Sequence, residues 1–314
     1  MKFFPTLLGI LLGFFLMVTS SSKAETALGD TSKGFFRFTL GELEVIALSD
    51  AVGEFSFNLF FDISAEDLEA IAQANGRTNK TFPSWINAFA VKQGTNLFLI
   101  DTGVGSPFNT LNNLKKAGYR PQAVTHILLT HFHSDHIGGL LDNEGNLLFP
   151  NAAVYAPFKE EEYFLPRADP DVPGSANAKK YLTPAKNSGQ YHLFSPGAEI
   201  LPGIQTITLY GHTPGHTGYI FANSDTPLLF WGDIVHNYLV QFARPQVTLS
   251  FDVNRAEAAK TRAIILMEAA TKNYLVAGHH LPFPGIGWVV EEGEAYKYVP
   301  FSPSPQTTTS TQQP

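Results

Sequence analysis

The chain has 314 residues, no cysteine and a formal net charge of −7 at pH 7. The missing cysteine excludes a disulfide framework, a Cys-zinc site, a thiol nucleophile and a lipid-bearing Cys. The acidic balance argues against nucleic-acid binding, which needs a basic face, and the length suits one α/β core better than two small domains.

At the N-terminus, Lys2 precedes an almost wholly apolar run from Phe3 to Val18, and Ser22-Lys23-Ala24 supplies small residues behind it. This is the layout of a secretory signal peptide cleaved after Ala24, and it predicts a periplasmic or secreted protein with no stable membrane insertion after cleavage. The competing reading is a retained anchor, for which the apolar run is short. The chain then divides into a leader (1–24), one folded domain (25–300) and a Ser/Thr/Pro/Gln-rich tail (301–314) expected to be disordered.

Within the domain, strand and helix signals alternate. Leu43 to Leu48 reads as a strand, and Ala88 to Val91 with Leu97 to Ile100 as a hairpin around Gln93-Gly94-Thr95. Thr110 to Ala117 reads as a short helix with Asn109 as N-cap and Gly118 as stop. Val124 to Leu129 is a buried strand running into a His-rich loop. Phe164 to Gly189, polar and containing Pro and Gly, is expected as a long loop over the site. Ile204 to Tyr210, Tyr219 to Ala222 and Leu228 to Trp231 are further strands. Asn254 and Glu257 form a capping box for a helix from Arg255 to Ala270. Tyr274 to Ala277 is one more strand, ending at His279-His280. An α/β layout tends to gather catalytic groups at the carboxyl ends of such strands.

The His-rich loop reads Thr130-His131-Phe132-His133-Ser134-Asp135-His136-Ile137-Gly138-Gly139. Four potential ligands fall within six residues, and imidazoles with a carboxylate suit Zn²⁺ and similar ions. The alternate spacing of His131 and His133 lets both rings converge on one ion, while Asp135 and His136 point to a second position. Gly138-Gly139 lets the backbone fold tightly behind them, since glycine has no Cβ to obstruct it.

This segment resembles the HxHxDH signature of the metallo-β-lactamase superfamily. Asp101-Thr102-Gly103, Thr213-Pro214-Gly215-His216-Thr217, Gly232-Asp233 and Gly278-His279-His280 are similar to its other motifs, in the family order, between about Gly34 and Pro300. Gly41 to Asp50, Trp231-Gly232-Asp233-Ile234 and Phe283-Pro284-Gly285-Ile286-Gly287 are similar to the methyl parathion hydrolase group within it. The resemblance implies a four-layer αββα sandwich with the metals at one edge between two sheets.

It also implies roles. His131, His133 and His216 would hold a first metal, Asp135, His136 and His280 a second, and Asp233 would bridge both. Asp135 and Asp233 would be the catalytic carboxylates. Asp101 would accept a proton from a ligand imidazole and fix its tautomer. His212, just before the third motif, competes with His216, though the family wording favours the His after Pro-Gly. His236 reads equally as a support for a ligand or as pocket wall, and His126 and His192 as structural. Phe55, Phe57, Phe60 and Phe61 read mostly as core. Phe108 and Phe164 fall where the methyl parathion hydrolase group has pocket-lining aromatics, Phe164 in place of a tryptophan.

Two divalent ions about 3.5–4 Å apart can hold a bridging hydroxide at neutral pH, with zinc the expected metal. The resulting expectation is an exported dinuclear hydrolase that cleaves ester-type bonds in a small molecule: a lactone, a hydrophobic ester or a phosphotriester. A homodimer is compatible with it. The alternatives are a β-lactamase-type amide hydrolase and a non-catalytic metal-binding protein of the same fold.

Overall fold

The computed structural model describes residues 33–165, 172–197, 199–222 and 226–302. The leader expected at 1–24 and nearly all of the tail expected at 301–314 lie outside the described residues. The first half of the chain forms β1 (Phe35–Leu40), β2 (Leu43–Ser56), β3 (Phe60–Phe61), α1 (Ala65–Ala74), β4 (Thr81–Gln93), β5 (Asn96–Ile100) and α2 (Thr110–Lys116). It continues with β6 (His126–Leu128), α3 (Ser134–Ile137), β7 (Ala153–Pro157), α4 (Phe158–Phe164), α5 (Ser175–Ser188) and β8 (Tyr191–Phe194). The second half forms β9 (Glu199–Leu201), β10 (Ile204–Thr208), β11 (Thr217–Phe221), β12 (Leu228–Phe230), α6 (Tyr238–Gln241) and β13 (Thr248–Leu249). Helix α7 (Arg255–Thr271), β14 (Leu275–Ala277), β15 (Ile286–Glu292) and β16 (Ala295–Pro300) complete it.

Two seven-stranded sheets result, ordered β1-β2-β4-β5-β6-β7-β8 and β16-β15-β14-β12-β11-β10-β9, while β3 and β13 pair separately. Strand alternation sorts the apolar residues into three buried layers. Val45, Ala47, Phe89 and Phe98 of the first sheet face Phe221, Phe230, Leu275 and Ile286 of the second. Ile46, Leu48 and Leu99 point the other way, onto Leu114 of α2 and Leu182 of α5. Leu229 and Val276 lie under Ile265, Leu266 and Ala269 of α7. Helices, sheet, sheet and helices make the four-layer αββα sandwich. Burial on both faces is why these strands read as continuous apolar runs.

Three local expectations are corrected. The segment read as a long loop is in large part helix α5, bounded by Gly174 and Gly189 at φ +86° and +76°. Its polarity and Pro184 hid it, yet Ala178, Leu182 and Ala185 form a buried stripe at helical spacing. Strands β2 and β4 run well past the segments expected from the sequence, Leu43 to Leu48 and Ala88 to Val91, pairing as far as Ser56 with Thr81. In β2 the extension from Val52 to Ser56 is largely exposed, so its apolar pattern stops before the strand does, whereas β4 stays buried at Phe82, Ser84, Trp85 and Asn87. The cap of α2 comes from Asp50 rather than Asn109, whose side chain makes no cap bond. Asp50 Oδ1 accepts from Asn109 N (2.8 Å) and Thr110 N (2.6 Å), and Oδ2 accepts from Val104 N (2.9 Å). The register shift between Ser49 and Ala51 lies at this residue.

Strands β5 and β6 are parallel, as are β12 and β14. Asp101, His131, Asp233 and His279 follow their carboxyl ends closely, so both sheets deliver chemistry to one edge. Among the described residues no helix is long and apolar enough to cross a membrane.

Candidate metal centre

Two groups of potential ligands meet at this edge: His131, His133, His212 and Asp233, and Asp135, His136, Asp233 and His280. In the first, His212 Nε2 lies 3.2 Å from His131 Nε2 and 2.9 Å from His133 Nδ1, and the latter two are 3.1 Å apart. Asp233 Oδ2 is 3.4 Å from His212 Nε2 and 3.7 Å from His131 Nε2. In the second, His136 Nε2 lies 3.2 Å from Asp233 Oδ1, and His280 Nε2 3.0 Å from Asp233 Oδ2. Asp135 Oδ2 stands 3.6 Å from His136 Nε2 and 3.5 Å from His280 Nε2. Asp233 is common to both groups.

The donor set fits divalent cations. Most of these imidazoles are held on their outer side by the protein, leaving the other nitrogen turned inward. His136 Nδ1 donates to Asp101 Oδ2 (2.7 Å), His212 Nδ1 to Asp252 Oδ1 (2.9 Å) and His280 Nδ1 to the Trp85 carbonyl (2.7 Å). Such outer bonds fix the tautomer and aim the free lone pair. His136 Nε2 and Asp233 Oδ1 are buried without a hydrogen-bond partner. Lone pairs of neutral imidazoles facing one another at about 3 Å repel unless a cation lies among them. Burial, reinforced by neighbouring His136, holds His131 well below its ordinary value, and burial with His212 nearby brings His133 to about 3. Both rings are therefore neutral ligands at neutral pH. Burial opposes ionisation of Asp233, but the surrounding His136, His280 and His131 outweigh it and hold the carboxyl well below the usual range.

The structure places His216, expected in the first group, in neither of the two. Its Nδ1 donates to the Leu209 carbonyl (3.0 Å) and its Nε2 accepts from Asp233 N (3.1 Å), so neither nitrogen is free for an ion. A Cβ on Gly232 would come within 2.3 Å of that Nε2, which keeps residue 232 a glycine at φ +57°. His216 braces the backbone of Asp233, and His212 stands among the potential ligands where His216 was expected. His280 stands in the second group, whereas His279 Nε2 turns inward to 2.9 Å from Asp101 Oδ2.

Asp101 sits under both histidine-bearing loops. Its backbone at φ +54° is in the left-handed region, which aspartate tolerates better than most residues. The carboxylate accepts from Thr130 N and Thr130 Oγ1, both at 2.7 Å, as well as from His136. Asp252, which no sequence motif signalled, is held by Leu249 N (3.0 Å) and lies 3.6 Å from Arg262 Nη2. Arg262 is itself buried, donating to the carbonyls of Ile234, Pro245 and Val247.

A cavity of about 620 Å³ opens onto His133, Asp135, His212, Asp233 and His280. Its wall is aromatic: Phe55 and Phe251 (ring centroids 5.7 Å apart), Tyr163 and His236. Phe55 arrives on the extension of β2, so it is wall rather than core; Phe57 and Phe60 do pack internally, on Phe82. His236 stacks on His280 at 5.3 Å, and burial brings it to about 4. The two predicted pocket aromatics are elsewhere. Phe108 is half-exposed beside a separate space of about 250 Å³ with Thr110 and Leu141. Phe164 is buried behind the site, 6.1 Å from the His133 ring. His126 and His192, read as structural, stack on Phe98 and Tyr155 along the first sheet.

Residues 86–279 match the family model of the Metallo-beta-lactamase superfamily, and the chain belongs to that superfamily. A solved structure described as hydrolase AbOPH in the beta lactamase superfamily is 32% identical, covers 86% of this chain and 98% of its own, and superposes with a TM-score of 0.81. AidC, a dizinc quorum-quenching lactonase solved with a product bound, is 26% identical over 86% of this chain and 98% of its own, with a TM-score of 0.79. The N-acyl homoserine lactonase of Bacillus thuringiensis is 31% identical over 106 residues, 34% of this chain and 36% of its own. The hydroxyacylglutathione hydrolase of Yersinia pestis (strain Pestoides F) is 33% identical over 135 residues, 43% of this chain and 41% of its own. The chain thus spans well under half the length of these curated relatives.

Proposed function

We propose that the protein is an exported, dinuclear metal-dependent hydrolase of small hydrophobic esters, lactones foremost. Asp233 carries this reading, because its one carboxylate faces both groups of ligands, Oδ1 toward His136 and Oδ2 toward His131, His212 and His280. Bound divalent ions, with zinc the metal that His and carboxylate donors suit, would supply a nucleophilic water at neutral pH and polarise the scissile group. Asp233 would be held in common by the ions of both groups, and Asp101 and Asp252 hold His136 and His212 in the tautomer that leaves Nε2 free. Phe55, Tyr163 and Phe251 form an apolar wall that can take an acyl or aryl group and exclude water. The likeness to a dizinc lactonase supports the lactone assignment. The sequence resemblance of segments such as Trp231-Gly232-Asp233-Ile234 to the methyl parathion hydrolase group would add phosphotriesters as related substrates.

The test is turnover by metal-loaded protein on lactones, aryl esters, phosphotriesters and a chromogenic cephalosporin. The expected result is kcat/KM of roughly 10⁴ M⁻¹s⁻¹ or more on a lactone or ester, within the ordinary enzyme range, and far less on the cephalosporin. A preference for the cephalosporin would make the protein an amide hydrolase. No turnover on the whole panel at full metal loading would leave a metal-binding protein of the same fold. Export has its own test: protein recovered from the periplasm of a secreting bacterial host should begin at Glu25, and an intact Met1 there would overturn the cleaved leader.

A further inference from the structure

Glu160 is an acidic side chain in the first turn of α4 and is 0% exposed. Among the described residues no lysine or arginine pairs with it. Its two oxygens go instead to two different loops: Oε2 accepts from Phe132 N (2.9 Å), and Oε1 accepts from Gly215 N (2.7 Å). Phe132 lies between His131 and His133, and Gly215 lies three residues after His212. The loops come from different sheets, one after β6 and the other between β10 and β11. A Cβ on Gly215 would come within 2.4 Å of Glu160 N, so the glycine of Thr213-Pro214-Gly215 is what lets α4 press this close.

Burying a carboxyl costs several kcal/mol unless its hydrogen bonds return the energy. Burial pushes Glu160 up to about 7, against the bonds from Thr213, Gly215 and Phe132 that favour the ionised form. A glutamine would fill the same space at far lower cost. It could not make both bonds, however, because one end of an amide is a donor and would face an N–H. Accepting from both loops at once needs two acceptor oxygens on one group.

We propose that Glu160 is the positioning residue of the first ligand group, tying the loop of His131 and His133 to the loop of His212 and so setting how closely the three imidazoles converge. The same short helix carries Tyr163, which lines the cavity, so one element spaces both the ligands and part of the substrate wall. None of the second group's own residues (Asp135, His136 and His280) hydrogen-bonds to Glu160. The inference rests on the metal-dependent reading above, and the two fail in different ways.

The experiment titrates zinc into metal-free wild type, Glu160→Gln and Glu160→Asp against a chromogenic chelator. His212→Ala and His280→Ala identify which binding step belongs to which group. Glu160→Gln should weaken the step that His212→Ala abolishes by roughly 10- to 100-fold, the usual range for a residue that orients ligands, and change the other step less than threefold. Glu160→Asp keeps the charge but is one methylene short of spanning both loops, so it should weaken the same step. With zinc at saturation, kcat should fall while KM stays within about twofold. Equal weakening of both steps, or none in either variant, would overturn the positioning role while leaving the metal reading intact. If Glu160→Gln does not fold, Glu160→Asp alone decides between these outcomes. A wild type that binds no zinc would overturn the metal reading and this inference with it.

Discussion

Asp233→Asn is expected to weaken both metal positions together, by at least 10- to 100-fold each, and to lower kcat by roughly 10²- to 10³-fold even at saturating metal. The substitution keeps the shape, but it removes the negative charge and turns an NH₂ group toward an ion. It also removes the carboxylate that His136 and His280 face at 3.2 and 3.0 Å. Every other ligand belongs to one group only. Replacing His133 or Asp135 should therefore empty one position, whereas Asp233→Asn should disturb two. Metal analysis with single-turnover kinetics checks this. Two tightly held ions and near-normal kcat in Asp233→Asn would show that the two positions are fixed by something else.

The second expectation separates two histidines four residues apart. His212→Ala should lose one metal equivalent and most turnover, again by roughly 10²-fold or more, while the fold is retained. His216→Ala should keep the capacity for metal at saturating concentration but lose stability. It leaves the Leu209 carbonyl and the Asp233 N–H buried without partners, at about 1–3 kcal/mol for each such group. Metal content at saturation and thermal unfolding of the metal-free variants distinguish the two. A His216→Ala protein of normal stability with one ion missing would restore His216 as a ligand and displace His212.

The sequence made most of the sandwich legible, for a physical reason: strands such as Leu97 to Ile100 and Leu228 to Phe230 are buried on both faces, so nearly every residue in them is apolar. The dense loop from His131 to His136 was equally plain, because four potential ligands within six residues have few structural uses. Elements in mixed surroundings were not. Helix α5 has a narrow apolar stripe in a polar segment with a proline. The extension of β2 leaves the core, and with it went the placement of Phe55 on the cavity wall. That of β4 mixes buried Phe82 and Trp85 with buried polar Ser84 and Asn87, so neither extension reads as a strand. His212 and His216 flank the same Thr-Pro-Gly turn, and spacing cannot say which ring faces the ions. Glu160 and Asp252 act on residues far away in the chain, so nothing beside them in sequence reveals what they hold.

The candidate ligands divide by sheet. His131, His133, Asp135 and His136 follow β6 of the first sheet, while His212, Asp233 and His280 follow strands of the second. Neither half of the chain can assemble a binding position alone, so an ion held here would rivet the two sheets at one end. Bound metal then acts on the sandwich as a ligand specific for its closed form, adding about 2.7 kcal/mol at a hundred times its Kd. Removing it would loosen the seam between the sheets while leaving each sheet's own hydrogen bonds in place. Any motion that parts the sheets at this edge would release metal, so metal exchange rates would report on the breathing of the whole fold.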